Sequence, residues 1–168
     1  MNIYYFENIL NKMPNLKQDD IMKFSYNTVI GFITLEEDNG EIVRISFGKE
    51  CGKIEENNTL AQAFKEIDEY LKGERKYFTF PYRISGTEFQ KKVYRELLKI
   101  PYGETRTYKD IALSIGNEKA CRAVGNANNK NKLPIIVPCH RVIGSNNDLT
   151  GYAGGLNIKK YLLNLENK

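Results

Sequence analysis

One histidine, three cysteines and no long apolar run bound what this 168-residue chain can be. No stretch approaches the ~20 apolar residues that span a bilayer, so no membrane association is expected. The opening residues, Met1-Asn2-Ile3-Tyr4-Tyr5-Phe6, lack the basic region, apolar core and small-residue cleavage site of a secretory signal. Cys51, Cys121 and Cys139 form an odd set without C-x-x-C spacing, and with a single histidine they offer no ready zinc site. This cysteine usage suits a reducing cytoplasm, the expected location.

Charge is present but unevenly placed. Residues 86–168 carry 14 Lys/Arg against 7 Asp/Glu, a net +7, whereas residues 1–85 carry 11 against 14, a net −3. A basic half joined to a mildly acidic one suggests that the C-terminal part meets a polyanion. A solvated lysine-rich surface would have the same composition.

The first half reads as scaffold. Residues 1–21 show no sustained period and are expected to be an N-terminal extension. Phe24 to Leu35 is apolar and β-branched, and Glu36 to Gly40 is a polar turn ending in the hairpin signal Asn39-Gly40. Ile42, Val43, Ile45 and Phe47 supply the returning strand. Thr59 is a candidate cap for a helix carrying Leu60, Ala63, Phe64, Ile67 and Leu71 and stopping at Gly73. Tyr77-Phe78-Thr79-Phe80 reads as a third strand, ended by Pro81. No catalytic constellation is visible over residues 22–85, and Cys51 reads as incidental.

The second half, from about Ser85-Gly86 onward, carries the chemistry. Thr87-Glu88-Phe89-Gln90 fits a capping box ahead of a helix with Phe89, Val93, Leu97 and Leu98 on its apolar face. Thr107 to Asp110 opens a second helix that stops at Gly116, and Asn117 is a candidate cap for a third, Glu118 to about Asn128. This pair reads as a helix-turn-helix, with Lys119 and Arg122 on its second helix and Lys130 beyond it. Its small residues, Ala120, Ala123, Gly125 and Ala127, suit close approach to a nucleic-acid backbone. The run Ile135-Ile136-Val137 reads as a buried strand ended by Pro138. The thiol of Cys139 and the sole histidine, His140, follow at once. A thiol beside an imidazole is a nucleophile–base candidate, although a buried cysteine is more often packing alone. A glycine-rich loop, Gly151 to Gly155, holds Tyr152, and a last helix runs from Leu156 to Glu166, whose carboxylate lies within reach of His140.

Together these residues make the chain resemble the O6-alkylguanine-DNA alkyltransferases. Pro138-Cys139-His140-Arg141-Val142 matches that family's active-site motif. Tyr102-Gly103-Glu104-Thr105, Arg122-Ala123-Val124-Gly125, Asn131, Gly151-Tyr152-Ala153-Gly154-Gly155-Leu156 and Glu166 fall at family positions. The resemblance covers residues 86–168 and is only general before them. It implies an α+β protein, in which a small antiparallel sheet with a helix, of ribonuclease-H-like shape, precedes a winged helix-turn-helix DNA-binding domain.

The resemblance also implies direct-reversal DNA repair, with O6-alkylguanine as substrate and O4-methylthymine as a further candidate. Cys139 would accept the alkyl group irreversibly and once per molecule. His140 would take the thiol proton through a water, Glu166 would orient His140, and Asn131 would brace the cysteine turn. The partner would be double-stranded DNA entered through the minor groove, with Arg122 filling the gap left by a flipped guanine and Lys109, Lys119, Ala123 and Lys130 along the backbone. Tyr108, Val142, Tyr152 and Ala153 would line the base pocket. The Val142 carbonyl and the Cys139 and Ala153 amides would read the base edge, and Tyr108 would assist rotation of the phosphate and donate a proton or hydrogen bond to the leaving guanine. No cofactor, no metal and a monomer are implied. The sequence departs from the family pattern at Ala153, usually serine, at Cys121, usually small or aliphatic, and at Asn129-Lys130 in place of a Gly-Arg-type pair. Two other readings stay open: a binder of alkylated DNA in which Cys139 is structural, and a Cys-His hydrolase oriented by Glu166.

Overall fold

The computed structural model describes residues 21–50, 56–146 and 148–167. The expected extension (all but Ile21), Cys51 and Asn147 therefore lie outside the described residues. Among those described, no helix is long and apolar enough to cross a membrane.

Three antiparallel strands, β1 (Met22–Thr28), β2 (Gly31–Asp38) and β3 (Glu41–Phe47), form the first half in the order β1-β2-β3. The apolar run from Phe24 to Leu35 is thus two strands and not one. The chain reverses at Val29-Ile30, where the Thr28 hydroxyl donates to the Gly31 carbonyl at 2.7 Å and accepts from the Ile30 amide at 3.3 Å. The second reversal is the expected Asn39-Gly40, both residues at positive φ, as a twisted two-residue hairpin turn requires. Being central, β2 buries Ile33, Thr34, Leu35, Glu36 and Glu37.

Helix α1 (Asn58–Leu71) lays Leu60, Ala63, Ile67, Tyr70 and Leu71 into the core. Its cap is Asn57 and not Thr59: the Asn57 side-chain oxygen accepts from the Leu60 amide at 2.8 Å. The expected strand at residues 77–80 does not form. The buried Glu66 carboxylate takes the Thr79 amide at 2.6 Å, removing a donor that a sheet ladder needs, and Pro81 follows. Only a single parallel bridge, Ile42 to Tyr82, joins this segment to the sheet.

The expected capping box of Thr87 with Gln90 starts α2 (Glu88–Leu97), and a second box, Thr107 with Asp110, starts α3 (Tyr108–Ser114) at the expected opening of a helix. The next helix departs from expectation. Asn117 makes no side-chain cap, and with its first amides uncapped the chain tightens into a 3₁₀ turn, Glu118–Ala120, before α4 (Cys121–Asn129). A short parallel pair, β4 (Arg106–Thr107) with β5 (Val142–Ile143), ties the start of α3 to the end of the Cys-His motif. Helix α5 (Leu156–Glu166) closes the chain. One continuous apolar core runs through both halves, and backbone contacts such as Ile45 N–H to the Lys132 carbonyl, 2.8 Å, join them.

Candidate active site

The run Ile135-Ile136-Val137 is not a strand. Prolines at 134 and 138 confine it to three residues, and it folds as a buried turn in which the Val137 amide donates to the Leu133 carbonyl at 2.9 Å. Ile135 has φ +77, a costly conformation for a β-branched residue, of the kind that persists only where surrounding packing imposes it. Asn131 supplies much of that constraint. Its side-chain oxygen accepts from the Leu133 amide, and its amide nitrogen donates to the Val137 carbonyl at 2.9 Å and to Cys139 Sγ at 3.2 Å.

Pro138 centres a tight turn, φ −80 and ψ 60, closed by the Cys139 amide donating to the Val137 carbonyl at 2.7 Å. The Cys139 N–H is therefore occupied, contrary to the expectation that it reads a substrate edge. Cys139, His140 and Arg141 form one 3₁₀ turn, all buried. Burial pushes the Cys139 thiol up to about 11, against the opposing pull of the Asn131 bond and the charge of Lys159. At neutral pH the site rests as a thiol.

His140 and Glu166 meet across the core. His140 Nε2 lies 2.8 Å from Glu166 Oε1, and Nδ1 has no hydrogen-bond partner among the described residues. Burial would raise the Glu166 carboxyl, but bonds from His140 and Arg141 outweigh it and hold the group well below the usual carboxylate range. Glu166 is thus an acceptor, so Nε2 carries the proton and Nδ1 the free lone pair. Burial lowers His140 below its ordinary value, with Glu166 opposing, so the ring is neutral at neutral pH. Arg141 grips the same carboxylate through Nε at 2.8 Å and Nη2 at 2.9 Å, and Gly103 N–H adds a bond at 3.2 Å. Only glycine fits at 103: φ is +81, and a Cβ would come within 2.9 Å of the Glu166 carbonyl oxygen.

A wall of aromatic side chains faces this unit. The Tyr152 ring stands between Phe47 of β3, 5.6 Å between centroids, and His140, 6.4 Å edge-on. A Cβ at Gly154 would strike the Phe47 ring at 2.8 Å, so the sheet of the first half shapes the glycine-rich loop. Tyr108, at the start of α3, packs over Gly125 of α4, and its hydroxyl accepts from Thr150 at 3.2 Å. Ala153 is exposed at the rim. The Val142 carbonyl accepts from the buried Lys159 ammonium at 2.7 Å, and Lys159 also holds the Thr150 carbonyl at 2.9 Å.

The cationic positions lie on the outside. Lys109, Lys119, Arg122, Ala123 and Lys130 are all exposed. Lys109 pairs with Glu118 at 3.3 Å in a solvated ion pair, whereas Arg122 makes no ion pair with a described residue. Cys121 points its Sγ at the Glu118 carbonyl, 3.5 Å, at the start of α4.

Sequence reasoning brought Cys139, His140, Glu166 and Asn131 to one place, as the structure does. It missed Tyr70, Phe47, Lys159 and the pairing of Arg141 with Glu166. A signal existed for Lys159, which lies three residues before Leu162 and seven before Glu166, on the inward face of α5. For Tyr70 and Phe47 no local signal existed, since they come from the half without chemistry of its own.

Fold and site define a two-part α+β protein, a sheet-and-helix unit followed by a helix-turn-helix unit with a buried Cys-His-Glu-Asn cluster. Residues 21–84 match the family description "6-O-methylguanine DNA methyltransferase, ribonuclease-like domain", and residues 88–168 match "6-O-methylguanine DNA methyltransferase, DNA binding domain". A methylated-DNA–protein-cysteine methyltransferase of Methanosarcina acetivorans is 50% identical over 148 residues, covering 84% of this chain and 95% of the relative. The constitutive one of Bacillus subtilis is 46% identical over 150 residues, covering 83% and 91%. The crystal structure of Mycobacterium tuberculosis OGT in complex with DNA superposes with a TM-score of 0.81 at 39% identity, covering 88% of this chain and 93% of that one. The chain belongs to the 6-O-methylguanine DNA methyltransferase family.

Proposed function

We propose that this protein repairs DNA by direct reversal, with Cys139 as the acceptor of the alkyl group, chiefly methyl, on O6 of guanine. The observation that carries this reading is the buried cluster in which an Asn131 amide pins Sγ while Glu166 holds His140. Because Cys139 rests as a thiol, its proton must leave during the reaction. His140 Nδ1 receives it through a bridging water, and Glu166 balances the imidazolium that results. The thiolate attacks the methyl carbon, the S–C bond forming as the C–O6 bond breaks, and guanine leaves with a proton drawn from Tyr108. The imidazolium proton then returns to Tyr108 through solvent. The product thioether has no route back, so each molecule acts once. A Cys-His hydrolase would instead rest as a thiolate–imidazolium pair with a lowered thiol pKa; here the shift is upward.

The division of labour falls near Ser85-Gly86, with residues 22–85 as scaffold and residues 86–168 as DNA-binding and acceptor domain. DNA is the partner, a reading supported by the M. tuberculosis relative solved with it. Helix α4 enters the minor groove of the duplex, Arg122 fills the space of the flipped guanine, and one monomer serves one lesion. Lys109, Lys119, Ala123 and Lys130 contact the backbone, and Tyr108, Val142, Tyr152 and Ala153 enclose the base.

The test is incubation with duplex DNA carrying one isotopically labelled O6-methylguanine, read by intact-protein and peptide mass spectrometry. One methyl on the Cys139 peptide, guanine restored and no second turnover are expected. Tight binding without a mass change would leave Cys139 a structural thiol. For Arg122→Ala the expected signature is a greater loss of repair in duplex than of reaction with free O6-benzylguanine. An ordinary phosphate contact would instead lower the salt slope of DNA binding by about one, with no gap opening between the two substrates.

A further inference from the structure

The first half contributes a side chain to the reacting cluster. Tyr70 of α1 is fully buried, tilted against Phe78 and edge-on to Tyr102, and its hydroxyl donates to Glu166 Oε1, the same oxygen that His140 Nε2 uses. The Tyr70 oxygen and His140 Nε2 lie 3.3 Å apart, as two donors sharing one acceptor do. Arg141 Nη2 makes a third donor to Oε1, while Arg141 Nε and Gly103 N–H occupy Oε2. A carboxylate oxygen divides its charge among its donors, so every competing bond weakens the hold of Glu166 on the imidazolium.

We infer that Tyr70 is a positioning residue that tunes His140, holding the histidine neutral until the thiol proton arrives. This rests on the repair reading above. The groups facing His140 are Glu166 and Lys159 from α5, Cys139 and Arg141 from its own turn, Tyr152 from the glycine-rich loop and Tyr70 from α1. Glu166 is the anion of that set, and Arg141 and Lys159 oppose protonation of the ring. Tyr70 acts on the anion, the one partner that favours protonation. It therefore depresses the basicity of His140 from the first half of the chain, through the shared carboxylate.

Tyr70→Phe removes the hydroxyl and keeps the ring. With one donor fewer, Oε1 turns more of its charge to His140, and the ring protonates at higher pH. His140 is the only histidine in the chain, so its ring resonances in isotopically labelled protein report this group alone. The expected result is a histidine titration midpoint in Tyr70→Phe that lies above the wild-type midpoint. Single-turnover transfer from free O6-benzylguanine should show its acid limb displaced the same way. The rate deficit would be small at pH 8 and grow as pH falls, by up to about tenfold for each full unit of displacement. Superimposable histidine titrations would overturn the inference, as would a rate lowered equally at every pH, the mark of a purely structural tyrosine. Failure of the wild-type protein to take up any alkyl group would overturn the repair reading instead, while the titration comparison would still decide the influence of Tyr70 on His140.

Discussion

Cys139→Ala is expected to abolish methyl uptake altogether while leaving duplex DNA binding within about twofold, since the thiol is buried and the proposed phosphate contacts are exposed cations. The cluster has no substitute nucleophile. Cys121 lies at the start of α4, with its Sγ turned to the Glu118 carbonyl, whereas the sole histidine is buried beside Cys139. The fold should tolerate the change. Asn131 loses the bond to Sγ but keeps Val137 and Leu133, so the turn stays pinned, at a cost of about 1 kcal/mol for the lost contact. Mass spectrometry after incubation with O6-methylguanine duplex checks the first part and a gel-shift titration the second. One methyl on the alanine variant would place the acceptor elsewhere in the chain.

Glu166→Gln is expected to damage both stability and rate. The carboxylate accepts from Tyr70, His140, Arg141 and Gly103. An amide cannot: its NH₂ group would face donors. Arg141, 8% exposed, would remain a buried cation without its counter-charge. Breaking a buried pair in this way costs about 3–5 kcal/mol, which for a chain of this size lowers the melting temperature by roughly 10 °C. Transfer should slow by about 10³-fold or more, because losing the carboxylate that orients a catalytic histidine frees the wrong tautomer.

The pH dependence of that stability has a definite sign. The Glu166 pKa is depressed in the folded state. Its contribution is therefore fully present above the ordinary carboxylate value of about 4.3 and is lost as pH falls through the folded one. The gap in melting temperature between wild type and Glu166→Gln should be widest near neutrality and close in acid. A gap unchanged down to pH 3 would mean that the carboxylate charge is not what stabilises the cluster.

Local interactions made much of the molecule legible in the sequence. Asn39-Gly40, Thr87 with Gln90 and Thr107 with Asp110 act over two or three residues, so each marked its turn or helix start correctly. Cys139 and His140 are adjacent, and with Asn131 and Glu166 they carried the resemblance that named the chemistry. Where a nearby group captured a backbone donor, local pattern misled. Glu66 took the amide of Thr79 and cancelled a strand, and the prolines flanking Ile135 to Val137 turned an apolar run into a buried loop.

The sequence by itself determined the hairpin turn at Asn39-Gly40, most helix starts, the adjacency of Cys139 and His140 and the charge difference between the halves, because these depend on short-range spacing and composition. Only the tertiary structure decided how the cluster is tuned. Tyr70 is separated from Glu166 by 96 positions, and Phe47 reaches Gly154 across both halves. Burial then makes the thiol reluctant and the histidine neutral, while the bonds from His140 and Arg141 keep the carboxylate charged against burial. None of these is written in a neighbouring residue. Each follows from which side chains the folded core forces to share one acceptor away from water.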